Sequence, residues 1–172
     1  KEEEIIGTSG TKIGMSSSGA LTVDQINLTG KITLTSAGTR NVCMGVDNVD
    51  IGAQCTIDSG VTASTTIGEG TKLDNQVHVG HDTVIGSRCL IASQVGIAGC
   101  VFIEDFVTIW GQVGITSGVT IGEKAVISAQ SGVSKSLPGH KSYFGTPADE
   151  FRKKYKELAS IRLIPDIIDK LD

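Results

Sequence analysis

From Ile67 onward every sixth residue is aliphatic: Ile67, Leu73, Val79, Ile85, Ile91, Ile97, Ile103, Ile109, Ile115, Ile121, Ile127 and Val133. An amphipathic helix would recur near 3.6 residues and a half-buried strand near two, so a period of six excludes both as the governing unit. It fits a hexapeptide coil, in which three short strands make one triangular turn of a β-helix. A second register follows four residues behind the first and runs Thr71, Val77, Thr83, Cys89, Val95, Val101, Val107, Val113, Val119, Ala125, Ser131, Leu137, mostly small or β-branched. Composition agrees: 22 glycines, three prolines and 4% aromatic residues suit a thin all-β structure filled by small branched side chains.

Three hexads make 18 residues, and an 18-residue similarity is visible in "NQVHVGHDTVIGSRCLIA", "SQVGIAGCVFIEDFVTIW" and "GQVGITSGVTIGEKAVIS". The alignment predicts that Gln76, Gln94, Gln112 and Gln130 stack in one column, about 4.8 Å apart, as an amide ladder. Ten residues separate Ile57 from Ile67, so the segment around "GVTAST" reads as a four-residue loop at a corner. The expected organisation is irregular coils over residues 1–44, the hexapeptide β-helix over 45–138, and a C-terminal loop with helices over 139–172. In the last of these, Thr146 reads as an N-cap with Pro147 at the first helical position and Asp149 in the first turn. Phe151, Tyr155, Leu158 and Ile161 recur at helical spacing. Pro165 ends or bends that helix, and "DIIDKLD" can form a second.

The formal charge of −4 comes with no basic stripe or stacking aromatics, so no nucleic-acid partner is expected. No apolar run approaches the ~20 residues that span a bilayer, which leaves at most peripheral membrane contact. The four cysteines form no CxxC pair and read as small hydrophobes in a reducing compartment, with the cytoplasm as the default location. A zinc site of the three-histidine kind is not supplied by His78, His81 and His140, so no metal is expected. Because the chain begins at Lys1, it is read as a fragment or processed product.

The chemistry-bearing stretch is "DNQVHVGHDTVIG", Asp74 to Gly86. His81 is the third residue of its hexad, and the same position in later coils is Gly99, then Ser117 and Lys135. An imidazole stacked beside a glycine amide is the minimum equipment for acyl transfer, one group for a proton and one for an oxyanion. Asp82 or Asp74 could orient the ring. A solvated histidine on an outer corner satisfies the same pattern. A hexapeptide prism has too thin a core for an internal pocket, so sites are expected between neighbouring subunits of a cyclic oligomer.

"KLDNQVHVGHDTVIG", "SQVGIAG", "SAQSGVSKSLPG" and "SYFGTPADEFRKKYKELASIRLIPDII" together resemble the UDP-3-O-acylglucosamine N-acyltransferases of lipid A synthesis, from about Val49 to the C-terminus. The resemblance implies a left-handed parallel β-helix with a short C-terminal α-helical extension, assembled as a homotrimer. It implies transfer of a 3-hydroxyacyl chain from the thioester of acyl carrier protein, without another cofactor, to the 2-amino group of a UDP-3-O-acylglucosamine. His81 would be the general base and the amide of Gly99 the oxyanion donor. Asp74 and Asn75 fall near the sugar nucleotide, with His78, Trp110 and Ser117 as further substrate contacts. Arg152, Lys153 and Lys156 form the basic run proposed for the acidic carrier. The chain departs from the family at Gly118, where many relatives carry a second histidine, and at Trp110, where glycine is usual. Its length is about half that of the family, whose N-terminal domain grips the uracil. Related readings are an O-acyltransferase, a coenzyme A-dependent acetyltransferase of a sugar nucleotide, or an inactive trimeric scaffold.

Overall fold

A computed structural model describes residues 48–170 and, before them, only short strand segments between Ile5 and Met44. The reading of residues 1–44 as irregular coils therefore falls largely outside the described residues. From Val49 the chain winds as a parallel β-helix with three sheets as its faces. The first face stacks Val49–Ile51, Lys72–Leu73, Leu90–Ile91, Thr108–Ile109 and Val126–Ile127. The second stacks Cys55–Ile57, His78–Val79, Gly96–Ile97, Gly114–Ile115 and Gly132–Val133. The third stacks Thr65–Ile67, Val84–Ile85, Phe102–Ile103 and Thr120–Ile121. Successive strands pair in parallel with an 18-residue offset, as in Lys72 with Leu90, His78 with Gly96 and Val84 with Phe102. Asp50 pairs instead with Lys72 and Thr56 with His78, which absorbs the four extra residues in one coil.

Both sequence registers point inward. All twelve aliphatic residues of the first are at most 4% exposed, and the second is buried to the same depth apart from Val119 at 6%. Each buried isoleucine contributes roughly 1.5–3 kcal/mol, so stability is spread evenly along the stack. The polar members of the second register are satisfied internally. Thr71 Oγ1 donates to the carbonyl of Gly86 and accepts from Cys89 N–H, and Thr83 Oγ1 donates to the carbonyl of Ala98.

Outside the inserted loop, the regular corners from Asn75 to Gln130 are two-residue turns whose second residue takes the left-handed backbone, and most of these residues are not glycine: Gln76, Asp82, Arg88, Gln94, Cys100, Phe106, Gln112, Lys124 and Gln130 have φ of 55–62°. That conformation costs about 1–2 kcal/mol for an L-residue. A hydrogen bond from the left-handed N–H to a carbonyl in the coil below offsets it, as for Cys100 to His81 and Gln94 to Asn75, at 2.8 and 3.1 Å. The glutamine column forms as expected and extends down to Gln54, with amide bonds of 2.8–3.0 Å.

The C-terminal segment corrects one expectation. Thr146 does not cap a helix: Ser142–Phe144 adds to the first face beside Val126–Ile127, and Asp149–Glu150 returns antiparallel to it. Ala148 is buried and its N–H donates to the carbonyl of Gly132, so residues 142–150 close the last coil instead of starting the helix. Helix α1 spans Phe151–Arg162, and α2, Ile164–Ile168, carries Pro165 in its first turn. Second-helix formation thus begins before Pro165, earlier than "DIIDKLD" suggests.

Candidate active site

The second face leads into the third through the corner Gly80–His81–Asp82. At this corner the stacking predicted from the 18-residue offset is present. The His81 ring lies across the backbone of Gly99 so closely that a Cβ there would sit 2.5 Å from Nε2. Only glycine leaves room for the imidazole in that place. Gly80 is required by the same rung, since its Cβ would meet the backbone of Ala98 and Gly99 at 2.6 Å. The equivalent turn amides of Ala53, Ser87 and Glu123 are each capped by a side-chain oxygen, from Asn75, Asp105 and Glu104. The Gly99 N–H has no such acceptor among the described residues. It is an open donor one coil above the histidine. Ser117 sits exposed at the same corner one coil further on.

His81 is held by the residue beside it. Its Nδ1 lies 3.1 Å from Asp82 Oδ2, and the Asp82 side chain is only 6% exposed. The four-residue insertion explains how a carboxylate is tolerated there. Its loop wraps the carboxylate: the N–H groups of Val61 and Ala63 each donate to Oδ1 at 2.7 Å, and Thr62 donates through both N–H and Oγ1. Burial alone would raise the Asp82 pKa, but the donors of Ala63, His81, Thr62 and Val61 outweigh it and hold the group well below the ordinary carboxylate range. A charged, immobile carboxylate on Nδ1 leaves Nε2 as the ring atom free to accept a proton.

Three of the other sequence-derived residues share a different place. Asp74, Asn75 and Trp110 line a cleft of about 880 Å³ on the edge between the first and second faces, with Lys72 and Leu90. Trp110 is 53% exposed. Asp74 accepts the Asn75 N–H rather than reaching His81, so Asp82 alone is the orienting carboxylate. His78 lies on the second face, bonded through Nδ1 to Thr56 Oγ1, at the end of an apolar groove of about 730 Å³. The floor of that groove is the column Gly96, Gly114 and Gly132, and Thr146 and Pro147 close its far end. Nothing lies within 4 Å of a Cβ built on Gly96 or Gly114, so the fold does not require glycine at either. The bare strip therefore keeps a surface open. Of the basic run, Arg152 and Lys156 are exposed on α1, while Lys153 is tied to Asp149 at 2.7 Å.

Residues 64–99 match the family described as bacterial transferase hexapeptide (six repeats). The UDP-3-O-acylglucosamine N-acyltransferase of Methylobacterium nodulans is 38% identical over 92% of this chain. UDP-3-O-acylglucosamine N-acyltransferase 1 of Gloeobacter violaceus is 50% identical over 73% of it. The chain belongs to the UDP-3-O-acylglucosamine N-acyltransferase family. It spans 41% and 36% of the length of those two relatives. Among solved structures, the UDP-N-acetylglucosamine acyltransferase of Campylobacter jejuni superposes with a TM-score of 0.63 at 26% identity, over 72% of this chain and 50% of that one. The architecture is thus the left-handed β-helix of these acyltransferases. What sequence reasoning missed here are the loop donors Val61, Thr62 and Ala63 around Asp82 and the glycine column on the second face. Spacing reveals that an insertion exists, but not that it folds onto a side chain 20 residues away.

Proposed function

We propose that this chain is the β-helix of an N-acyltransferase that moves a 3-hydroxyacyl chain from acyl carrier protein to the 2-amino group of a UDP-3-O-acylglucosamine. The observation that carries the reading is the His81 ring lying across Gly99, with Asp82 fixed on its far nitrogen. As the amine nitrogen attacks the thioester carbonyl, His81 Nε2 takes the amine proton. The carbonyl oxygen becomes an oxyanion that accepts the open N–H of Gly99. Collapse of the tetrahedral intermediate expels the carrier thiolate, which takes the proton back from His81. No cofactor is called for beyond the carrier thioester. The glycine-floored groove beside His78 suits an extended hydrocarbon chain, and the cleft of Asp74, Asn75 and Trp110 suits a sugar nucleotide.

That cleft and His81 lie on different edges of the prism, separated by one strand of the second face, roughly 15–20 Å. The two meet only if the His81 edge of one copy faces the cleft of the next, which favours a homotrimer with its sites between subunits, working in the cytoplasm. The exposed Arg152 and Lys156 suit an acidic carrier. The likeness to UDP-N-acetylglucosamine acyltransferases keeps O-acyl transfer as a second reading. An assay with 3-hydroxyacyl carrier protein and either the amino sugar or its hydroxyl counterpart separates the two. His81→Ala should lower turnover by roughly 10²–10⁴ without unfolding the chain. Near wild-type turnover in that variant would sink the assignment of the base.

A further inference from the structure

The catalytic corner also carries a second donor set. A ring nitrogen of His81, a carboxylate oxygen of Asp82 and the sulfur of Cys100 all lie within 4.8 Å of one another. We propose that this corner is a binding site for a soft divalent cation such as Zn2+, ligated by His81 and Cys100 with Asp82 fixing the imidazole from its other nitrogen, and that the bound ion blocks acyl transfer. The donors come from two successive coils, and the backbone holds them together. Cys100 N–H donates to the carbonyl of His81 at 2.8 Å, which fixes one turn on the other. Gly99, lacking a Cβ, lets the ring lie beneath the turn that presents Cys100.

Zinc bonds nitrogen at about 2.0–2.1 Å and thiolate at about 2.3 Å, so a tetrahedral site needs its donors roughly 3.3–3.8 Å apart. Closing from separations of no more than 4.8 Å asks for a shift of at most about 1 Å, available to a half-buried thiol on a corner and a ring that is itself partly exposed. Asp82 already accepts the loop donors and contributes mainly by holding the imidazole, the arrangement common behind metal-bound histidines. Sulfur and imidazole select a soft or borderline ion over Mg2+ or Ca2+. The other described thiols do not compete. Cys55 and Cys89 are fully buried and donate to the carbonyls of Asp74 and Glu104, and burial pushes the Cys89 thiol up to about 11. Any ion on the ring removes the lone pair that the amine proton needs, which makes the site inhibitory.

The inhibitory half of this statement rests on the acyl-transfer reading; the binding half stands on the donor set alone. Titration of the chain with Co2+ should produce the near-ultraviolet thiolate-to-metal charge-transfer band. Cys100→Ser, or Cys100→Gly, which suits the left-handed backbone at that position, should abolish it. Calorimetric Zn2+ affinity should fall at least tenfold in both variants and in His81→Ala. In the transfer assay, Zn2+ should silence the wild type reversibly, with recovery in EDTA, and leave Cys100→Ser at its own metal-free rate. An absent band, or equal Zn2+ affinity in wild type and Cys100→Ser, overturns the site. Zinc inhibition that persists in Cys100→Ser overturns the link to this corner. A band from a chain that transfers no acyl group confirms the site and puts the fault in the functional reading.

Discussion

At the scale of single residues, His81, Gly99 and Asp82 divide the work between position and charge. Gly99→Ala puts a Cβ 2.5 Å from Nε2, so the ring must move by about an ångström, and a misplacement of that size costs about 10²-fold in turnover. Circular dichroism should show an intact fold while the transfer assay shows the loss. Asp82 sets a pH dependence of stability. Its folded pKa is depressed, so its contribution is fully present above the unfolded value near 4 and is lost as pH falls below it. Asp149, held near 2 mainly by Lys153, acts in the same direction. The urea midpoint should be flat from neutral pH down to about 5 and fall below about 4, with a shallower fall in Asp82→Asn. An equally steep acid limb in that variant would remove Asp82 from the account. The role of Asp82 was half legible in the sequence. Adjacency offered it as an orienting group with Asp74 as the rival, and only the path of the Gly60–Ser64 loop decides between them.

At the scale of strands and corners, the repeat does two things at once. Its inward positions build the core, and its outward positions are free to vary, which is why the glycine strip on the second face is informative. A strand glycine with open space around it weakens the sheet and gains nothing in packing. Gly114→Met should fill part of the groove without a clash, leaving thermal stability unchanged or slightly raised. The same variant should shift donor preference toward shorter acyl chains by an order of magnitude or more in kcat/KM. An unchanged chain-length profile would place the acyl chain elsewhere. The C-terminal helix shows the limit of pattern reading. The spacing of Phe151, Tyr155, Leu158 and Ile161 identifies α1 correctly, but its start is displaced from Thr146 to Phe151 because the last coil needed the intervening backbone to close. Those same apolar residues remain 39–62% exposed on the helix surface.

At the scale of the whole molecule, a β-helix places its candidate groups on separate edges. If the site forms between copies, mixing two inactive variants should regenerate activity. Co-expressed His81→Ala and Asn75→Ala chains are expected to form mixed trimers with some intact sites and a measurable fraction of wild-type turnover, whereas either variant alone stays low. No recovery in trimers verified as mixed would mean that both groups act from one copy. The six-residue period alone determined the architecture, both core registers, the glutamine ladder and the alignment of His81 with Gly99, because in a regular coil sequence separation fixes spatial stacking. Tertiary structure decided what lies off that lattice: the inserted loop that charges and clamps Asp82, the groove along the second face, and the meeting of Cys100 with His81 and Asp82. Those depend on where side chains and irregular backbone fall in three dimensions, and a repeat carries no information about its own exceptions.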